Sequence, residues 1–335
     1  MTHEEILLRR LSGQHLLSPA GTETVARELC GVQAQFLSHA LHGLSIRCGE
    51  VRTDSLVKSW TLRGTMHLFS ADDLPLFLHR GRRPFLRPVD TLETDAYISR
   101  ERKACFAKRI VAAIGEGTDE REALKKVCET AGMTEGESRS LFDPWGGIIR
   151  ALCESGRICH KVQEKKAYQL CPPFEPMEQE EAQLELARRY FTSFGPATVR
   201  DAAYFFKYTQ SQVKALLSQL PVSRTQLVEK DYYYMERPLP SGASIPECLF
   251  LAGFDQLMLG YEKTESLFLP RERLRDIFTL SGIVRPVLLV RGRVAGWWKL
   301  KGRTLNITLF EPENRNPAAD AATRLWGSGI RIEFE

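Results

Sequence analysis

Two amide side chains separated by one alanine, Gln33 and Gln35 in Val32-Gln33-Ala34-Gln35, are where chemistry is first visible in this chain. An amide carries donors and an acceptor but no charge, so a pair of them can hold a polar molecule in place without being a strong base. On a regular helix, residues two apart point about 200° away from each other around the axis. The two glutamines therefore converge only where the backbone is irregular. The flanking pattern puts such a junction here: Val25, Leu29 and Val32 recur at helical spacing upstream, and Leu37, Leu41 and Leu44 downstream, with Ser38 as an N-cap. Taken alone, the motif also fits two solvated glutamines on a helix. His67 alternates with Met66 and Leu68 and reads either as a structural histidine or as a pocket residue. Cys153, Cys159 and His160 form the sole cluster of metal-binding residue types, for which plain buried thiols are the simpler reading, so no metal is expected. The sequence has no phosphate-cradling glycine loop and no covalent nucleophile paired with a base, and no cofactor is expected.

The bulk composition restricts the class only loosely. A chain of 335 residues allows two or more domains, and 46 basic against 42 acidic residues leave the net charge silent about nucleic acid. Any electrostatic footprint must be local. The eight cysteines contain no Cys-x-x-Cys pair, the N-terminus lacks a basic head followed by an apolar run, and no apolar stretch approaches the ~20 residues of a membrane span. A cytoplasmic protein with reduced thiols is expected.

The elements that must position these residues read as a thrice-repeated order of helices followed by strands, which is the grammar of a winged helix. The first unit, 1–95, has helices at 4–12, 22–32 and 37–46. An apolar-periodic segment at 55–62, taken as helical, then runs into an alternating strand at 65–69. The connector 79–88 concentrates Arg80, Arg82, Arg83 and Arg87 among prolines, with no acidic residue, which suits forked contacts to phosphate. The second unit, 96–175, has helices at 99–115, 119–131 and 138–155, the last with Leu141, Trp145, Ile148, Ile149 and Leu152 on its apolar side. Its hairpin carries Lys161, Lys165 and Lys166. A proline-rich linker at 171–176 leads to the third unit, 176–243, with helices at 178–193, 199–207 and one ending at Leu220. A wing at 224–229 and 231–236 follows. Its Tyr232-Tyr233-Tyr234 run reads as a stacking surface or as packing. From 244 to 335 short apolar strands and one helix, 317–326, point to a β-rich, barrel-like domain. The expected class is α+β: three tandem winged-helix domains followed by that C-terminal domain.

The order and spacing of several short runs are more specific than any one of them. Gly31-Val32-Gln33-Ala34-Gln35 is followed by Trp60-Thr61-Leu62-Arg63-Gly64-Thr65-Met66-His67-Leu68. Leu186-Ala187-Arg188-Arg189-Tyr190 with Gly195-Pro196-Ala197-Thr198 comes next, then Gly253-Phe254-Asp255-Gln256-Leu257 with Gly260-Tyr261. In this arrangement the chain resembles the AlkZ/YcaQ family of bacterial winged-helix DNA glycosylases, over nearly its whole length. The resemblance implies excision of bulky N7-alkylated purines and unhooking of interstrand crosslinks, with Gln33 and Gln35 holding the catalytic water. A second glutamine, where the YcaQ-like branch usually has aspartate, places the chain nearer the AlkZ-like branch. Arg63, Thr65, His67 and Asp255, which lie in these runs, are candidate pocket residues. The Asp-Arg that usually follows Gly-Tyr is Glu262-Lys263 here, so no role carries over from that arginine.

That chemistry is consistent with two neutral amides. An N7-alkylated guanine is already cationic and leaves as a neutral base, so the site need only hold a water against C1′ of an oxocarbenium-like sugar. The expected partner is duplex DNA carrying bulky or cationic alkylated bases, bound by a monomer in a salt-dependent manner through Arg80, Arg82, Arg83, Arg87, Lys161, Lys165 and Lys166. The competing reading is a non-catalytic winged-helix transcriptional regulator, for which Gln33 would affect affinity alone. A scaffold that has lost nucleic-acid binding is a third.

Overall fold

Thr2 and Glu5 close the N-terminus of the first helix, His3–Gly13, with a reciprocal capping box in which Glu5 N donates to Thr2 Oγ1 at 3.2 Å. The computed structural model describes residues 1–84 and 86–335. The chain divides into two compact units, one made of Met1–Arg52 and Gln183–Glu335, the other of Thr53–Ala182. The boundary at Arg52 falls inside the segment 1–95 expected to form one winged helix.

In the first unit, helix Thr22–Glu28 stops earlier than its apolar spacing suggested. Cys30 and Gly31 take left-handed backbone angles, φ 54° and 82°, and Gly31 N returns to Ala26 O at 2.8 Å. The chain is then extended at Val32–Gln33 before helix Leu37–Ser45 begins. The N-cap of that helix is Phe36, which makes no side-chain capping bond, so Ser38 is a first-turn residue and not the cap. Capping boxes at Thr198/Asp201 and Thr209/Gln212 open helices Val199–Phe206 and Gln210–Leu217. The antiparallel strands Ser223–Leu227 and Lys230–Tyr234 follow, turning through Val228 and Glu229, both at positive φ. Tyr232 and Tyr234 are buried, so two of the three wing tyrosines are packing residues.

The C-terminal part of this unit corrects the barrel expectation. Five strands lie in the order Arg331–Phe334, Thr304–Leu309, Arg293–Lys301, Val287–Val290, Cys248–Phe250. The outermost two do not pair with each other, so the sheet is open. Helix Arg315–Trp326 covers one face, packing Ala318, Ala321 and Ala322 against Phe250, Leu288, Trp298, Leu305 and Ile307. A helix laid across the apolar face completes the core without closure.

The second unit also corrects two expectations. Residues 55–62 are not helical: Leu56–Trp60 is a strand, paired antiparallel with Met66–Ser70 so that Ser59 faces His67. The strands of this unit run Met66–Ser70, Leu56–Trp60, Ile158–His160, Tyr168–Leu170. Behind them pack helices Arg100–Gly115, Arg121–Thr130 and Ile148–Glu154 around Phe106, Ile110, Leu124, Ile149 and Leu152. The single helix expected over 138–155 is two, Glu135–Leu141 and Ile148–Glu154. Pro144 has no N–H to continue the ladder. Gly147 sits at φ 66°, where a Cβ would collide with the carbonyls of Ser140 and Leu141. Trp145, placed on the apolar side by its spacing, rides on this break and is 72 % exposed.

Candidate active site

The Gln33–Gln35 turn is an irregular junction between helices Thr22–Glu28 and Leu37–Ser45. The two left-handed residues at 30 and 31 swing the chain out of the helix, and Val32–Gln33 runs extended. Gln33 is buried, 7 % exposed, while Gln35 is exposed. The turn is gripped from the far end of the sequence. Gln256, itself 2 % exposed, donates from Nε2 to the carbonyl of Gly31. Phe254, held at φ 57°, sets its ring 5.6 Å from that of Phe36. At Gly253 a Cβ would lie 3.0 Å from the His39 ring, so a larger residue there would push that ring aside by a few tenths of an ångström. His42 Nε2 donates to Phe250 O at 3.1 Å, tying helix Leu37–Ser45 to the C-terminal sheet.

Asp255 is the anchor of this grip and does not face a pocket. Its carboxylate accepts two bonds from Arg47, Nη1 to Oδ2 at 2.9 Å and Nη2 to Oδ1 at 2.7 Å. Oδ1 also caps Leu257 N at 2.9 Å. Arg47 completes its own donors on Gly43 O at 2.8 Å and Gln14 O at 3.0 Å. Both partners are buried, so a buried charge is fully matched and several backbone segments are fixed at once. Arg47 and Gln256 are the supports of this turn that sequence reasoning missed. Gln256 at least lies inside the Gly-Phe-Asp-Gln run, but nothing local singles out Arg47.

Arg63, Thr65 and His67 come together in the second unit, on the turn joining strands Leu56–Trp60 and Met66–Ser70. Arg63 and Gly64 are both left-handed, φ 59° and 67°. His67 is fully buried. Its Nδ1 lies 2.9 Å from Thr61 Oγ1 and 3.2 Å from Thr65 O, and its Nε2 lies 3.3 Å from Arg63 Nη2. Burial, with help from the Arg63 charge, pushes its pKa down to about 3, so the ring is neutral. A guanidinium can only donate, so Nε2 is the acceptor and the ring proton sits on Nδ1. His67 touches Arg63 and does not reach solvent.

The expected phosphate contacts divide by geometry. Arg82 pairs with Glu154 at 2.5 Å and donates to the carbonyls of Trp60 and Thr61. Arg87 bridges Asp90 at 2.7 Å and Asp143 at 2.8 Å. Both are structural braces. Arg80, Lys161 and Lys165 are paired with Glu178, Asp119 and Glu120 respectively, each at 2.5 Å and near the surface. Arg83 and Lys166 are exposed and form no ion pair among the described residues. His160 lies between the rings of Trp60 and Tyr168, and Cys159 accepts from Gln169 Nε2 at 3.6 Å. Among the described residues no three His, Cys, Asp or Glu side chains gather as metal ligands, and no helix is long and apolar enough to cross a membrane.

The fold is that of a solved DNA glycosylase. It superposes on the Streptomyces sahachiroi DNA glycosylase AlkZ with a TM-score of 0.75, at 18 % sequence identity, over 99 % of this chain and 98 % of that one. A sequence relative from Streptomyces sahachiroi, an interstrand DNA cross-link repair glycosylase, is 25 % identical over 331 residues, covering 89 % of this chain and 87 % of the relative. Residues 26–326 match the family described as DNA glycosylase AlkZ-like, and the chain belongs to that family. The family resemblance carried by the motif order is thereby borne out.

Proposed function

We propose that this chain is a monofunctional DNA glycosylase that hydrolyses the N-glycosidic bond of N7-alkylated purines, including those joined in interstrand crosslinks. The name of the Streptomyces relative supports the crosslink as a substrate. The observation that carries the reading is the irregular turn at Gln33, a buried glutamine in an extended junction that Gln256 grips through the carbonyl of Gly31, two residues earlier. In the reaction the alkylated base leaves with the bonding electrons, which neutralise its positive charge. Water held by Gln33 and Gln35 adds its oxygen to C1′ and releases a proton to solvent. Two amide oxygens can accept the hydrogens of that water and aim its lone pair.

DNA would be held by units read as winged helices over 1–95, 96–175 and 176–243, the latter two each ending in an antiparallel hairpin. Arg83 and Lys166 are available to phosphate as they stand, whereas Arg80, Lys161 and Lys165 would exchange surface carboxylates for phosphate. The protein would act as a monomer. The test is incubation with duplex DNA bearing one N7-methylguanine, followed by alkaline cleavage of abasic sites. Strand scission that disappears in Gln33→Ala supports the reading. Binding without scission by the parent chain would instead favour a non-catalytic DNA-binding protein.

A further inference from the structure

A buried carboxylate, Glu154, stands at one end of a chain of contacts whose other end is Arg63. Glu154 is 3 % exposed, paired at 2.5 Å with Arg82 and at 3.3 Å with Arg150. Arg82 Nη2 also reaches Trp60 O at 3.3 Å and Thr61 O at 3.2 Å. These carbonyls immediately precede the turn that carries Arg63. The Arg150 guanidinium lies 5.7 Å over the Trp60 ring, and its Nη2 is 3.3 Å from where a Cβ on Gly64 would stand. Thr61 Oγ1 and the Thr65 carbonyl then meet His67 Nδ1 at 2.9 and 3.2 Å, and His67 Nε2 meets Arg63 Nη2. Thr61 thus positions a ring proton for which the carbonyl is a second acceptor. Burying such charge is costly, and the cost is offset only where the groups are well paired and hydrogen-bonded. What it fixes here is a turn with two successive left-handed residues, one of them a bulky arginine.

We infer that Glu154, Arg82 and Thr61 are positioning residues that hold His67 in its neutral Nδ1–H tautomer, so that Nε2 accepts from Arg63 and aims that guanidinium at the DNA. This rests on the glycosylase reading only for its last step, the use of Arg63 on the substrate. Because the ring stays neutral, its tautomer is the property left to control. With the proton moved to Nε2, that nitrogen would face the Arg63 cation as a donor and the contact would be lost. An isolated imidazole slightly favours the proton on Nε2, so the tautomer must be imposed by its surroundings.

The experiment has two arms on the full-length protein. The first is ¹⁵N NMR of the His67 ring in the parent, Glu154→Gln, Arg82→Lys and Thr61→Val, the last keeping the side-chain shape with only the hydroxyl lost. The second is single-turnover excision and DNA affinity for the same set on a duplex with one N7-methylguanine. Expected are an Nδ1–H ring in the parent, a shift toward Nε2–H in the variants, and an excision rate reduced about tenfold at nearly unchanged affinity, since small misplacements of a reacting group are costly. In a His67→Gln background, Glu154→Gln should cost little more. An Nε2–H ring in the parent overturns the inference. So does a slower variant whose His67 tautomer is unchanged, which would make the network merely structural. If the parent excises nothing, the glycosylase reading fails, while the NMR arm still decides the network: a parental ring that keeps its tautomer in all three variants rejects it.

Discussion

Replacing Asp255 with asparagine isolates the charge of the anchor behind the Gln33 turn. Asparagine keeps an oxygen that can cap Leu257 N, now 2.9 Å from Oδ1, and is an equally good N-cap. It removes the negative charge facing Arg47, whose two bonds to the carboxylate are 2.9 and 2.7 Å long. Arg47 is 1 % exposed, so its guanidinium would be buried without a counter-charge. Breaking one side of such a pair costs ~3–5 kcal/mol, and the retained amide contacts argue for the lower end. For a unit of roughly 200 residues each kcal/mol moves the melting temperature by about 2–4 °C, so Asp255→Asn should melt some 6–12 °C or so below the parent. Differential scanning calorimetry can resolve the two units if they melt separately, and the loss belongs to the unit containing residue 255. A variant that melts within about 2 °C of the parent would refute the idea that this pair braces the turn.

Four further predictions concern the chemistry, the DNA surface, the Arg82 brace and pH. Gln33→Ala and Gln35→Ala should each slow excision about a hundredfold, the ~3 kcal/mol of a lost positioning contact, with the double variant little worse and Gln35→Asp active in single-turnover assays. Arg83→Ala and Lys166→Ala should weaken DNA binding and each reduce the slope of log affinity against log salt by about 1, as read by titration at several salt concentrations. Arg82→Ala should instead lower the melting temperature, because it leaves Glu154 buried without its closer partner. His67 and His160 are both driven to a pKa of about 3 by burial, against 6.5 when unfolded. Unfolding between pH 6.5 and 3 therefore takes up a proton at each, so stability falls as pH falls through that window, by about 1.4 kcal/mol per pH unit for each ring. His160→Phe should remove one of these protons in denaturant titrations across pH; an unchanged slope would contradict the burial argument.

What was legible in the sequence follows the range of the forces involved. Capping boxes at Thr198 and Thr209 and the wing that follows them are written in adjacent residues, and these elements lie close to where spacing put them. Leu56, Val57 and Trp60 suit a helix face and a buried strand alike, because a short apolar run has no decisive period. The break before Ile148 did have local signals in Asp-Pro-Trp-Gly-Gly, outweighed by the apolar spacing on either side; that misjudgement also put Trp145 inside. The arginine-rich connector was visible as charge but not as partnership. Arg82 and Arg87 meet Glu154 and Asp143, residues 72 and 56 positions away, and no local pattern reports such pairing. The same holds for Asp255, whose carboxylate belongs to Arg47. The Gln-Ala-Gln motif was legible because its flanking periodicities stop on either side of it, leaving a junction as the remaining possibility.

The hydrogen bond from Gln256 to Gly31 spans 225 residues of sequence, and this fixes an order of events on the ribosome. At about 5–20 residues per second, Gly31 waits roughly 10–45 s for its partner to be synthesised. Until then the first 52 residues lack the rest of their own unit, which resumes only at Gln183. Residues 53–182 carry a complete core of their own and can fold during the delay. A nascent chain therefore holds a finished middle while the turn bearing Gln33 is still unsupported. On the proposed reading, the turn that holds the water would take its supported shape only after Gln256 has been made.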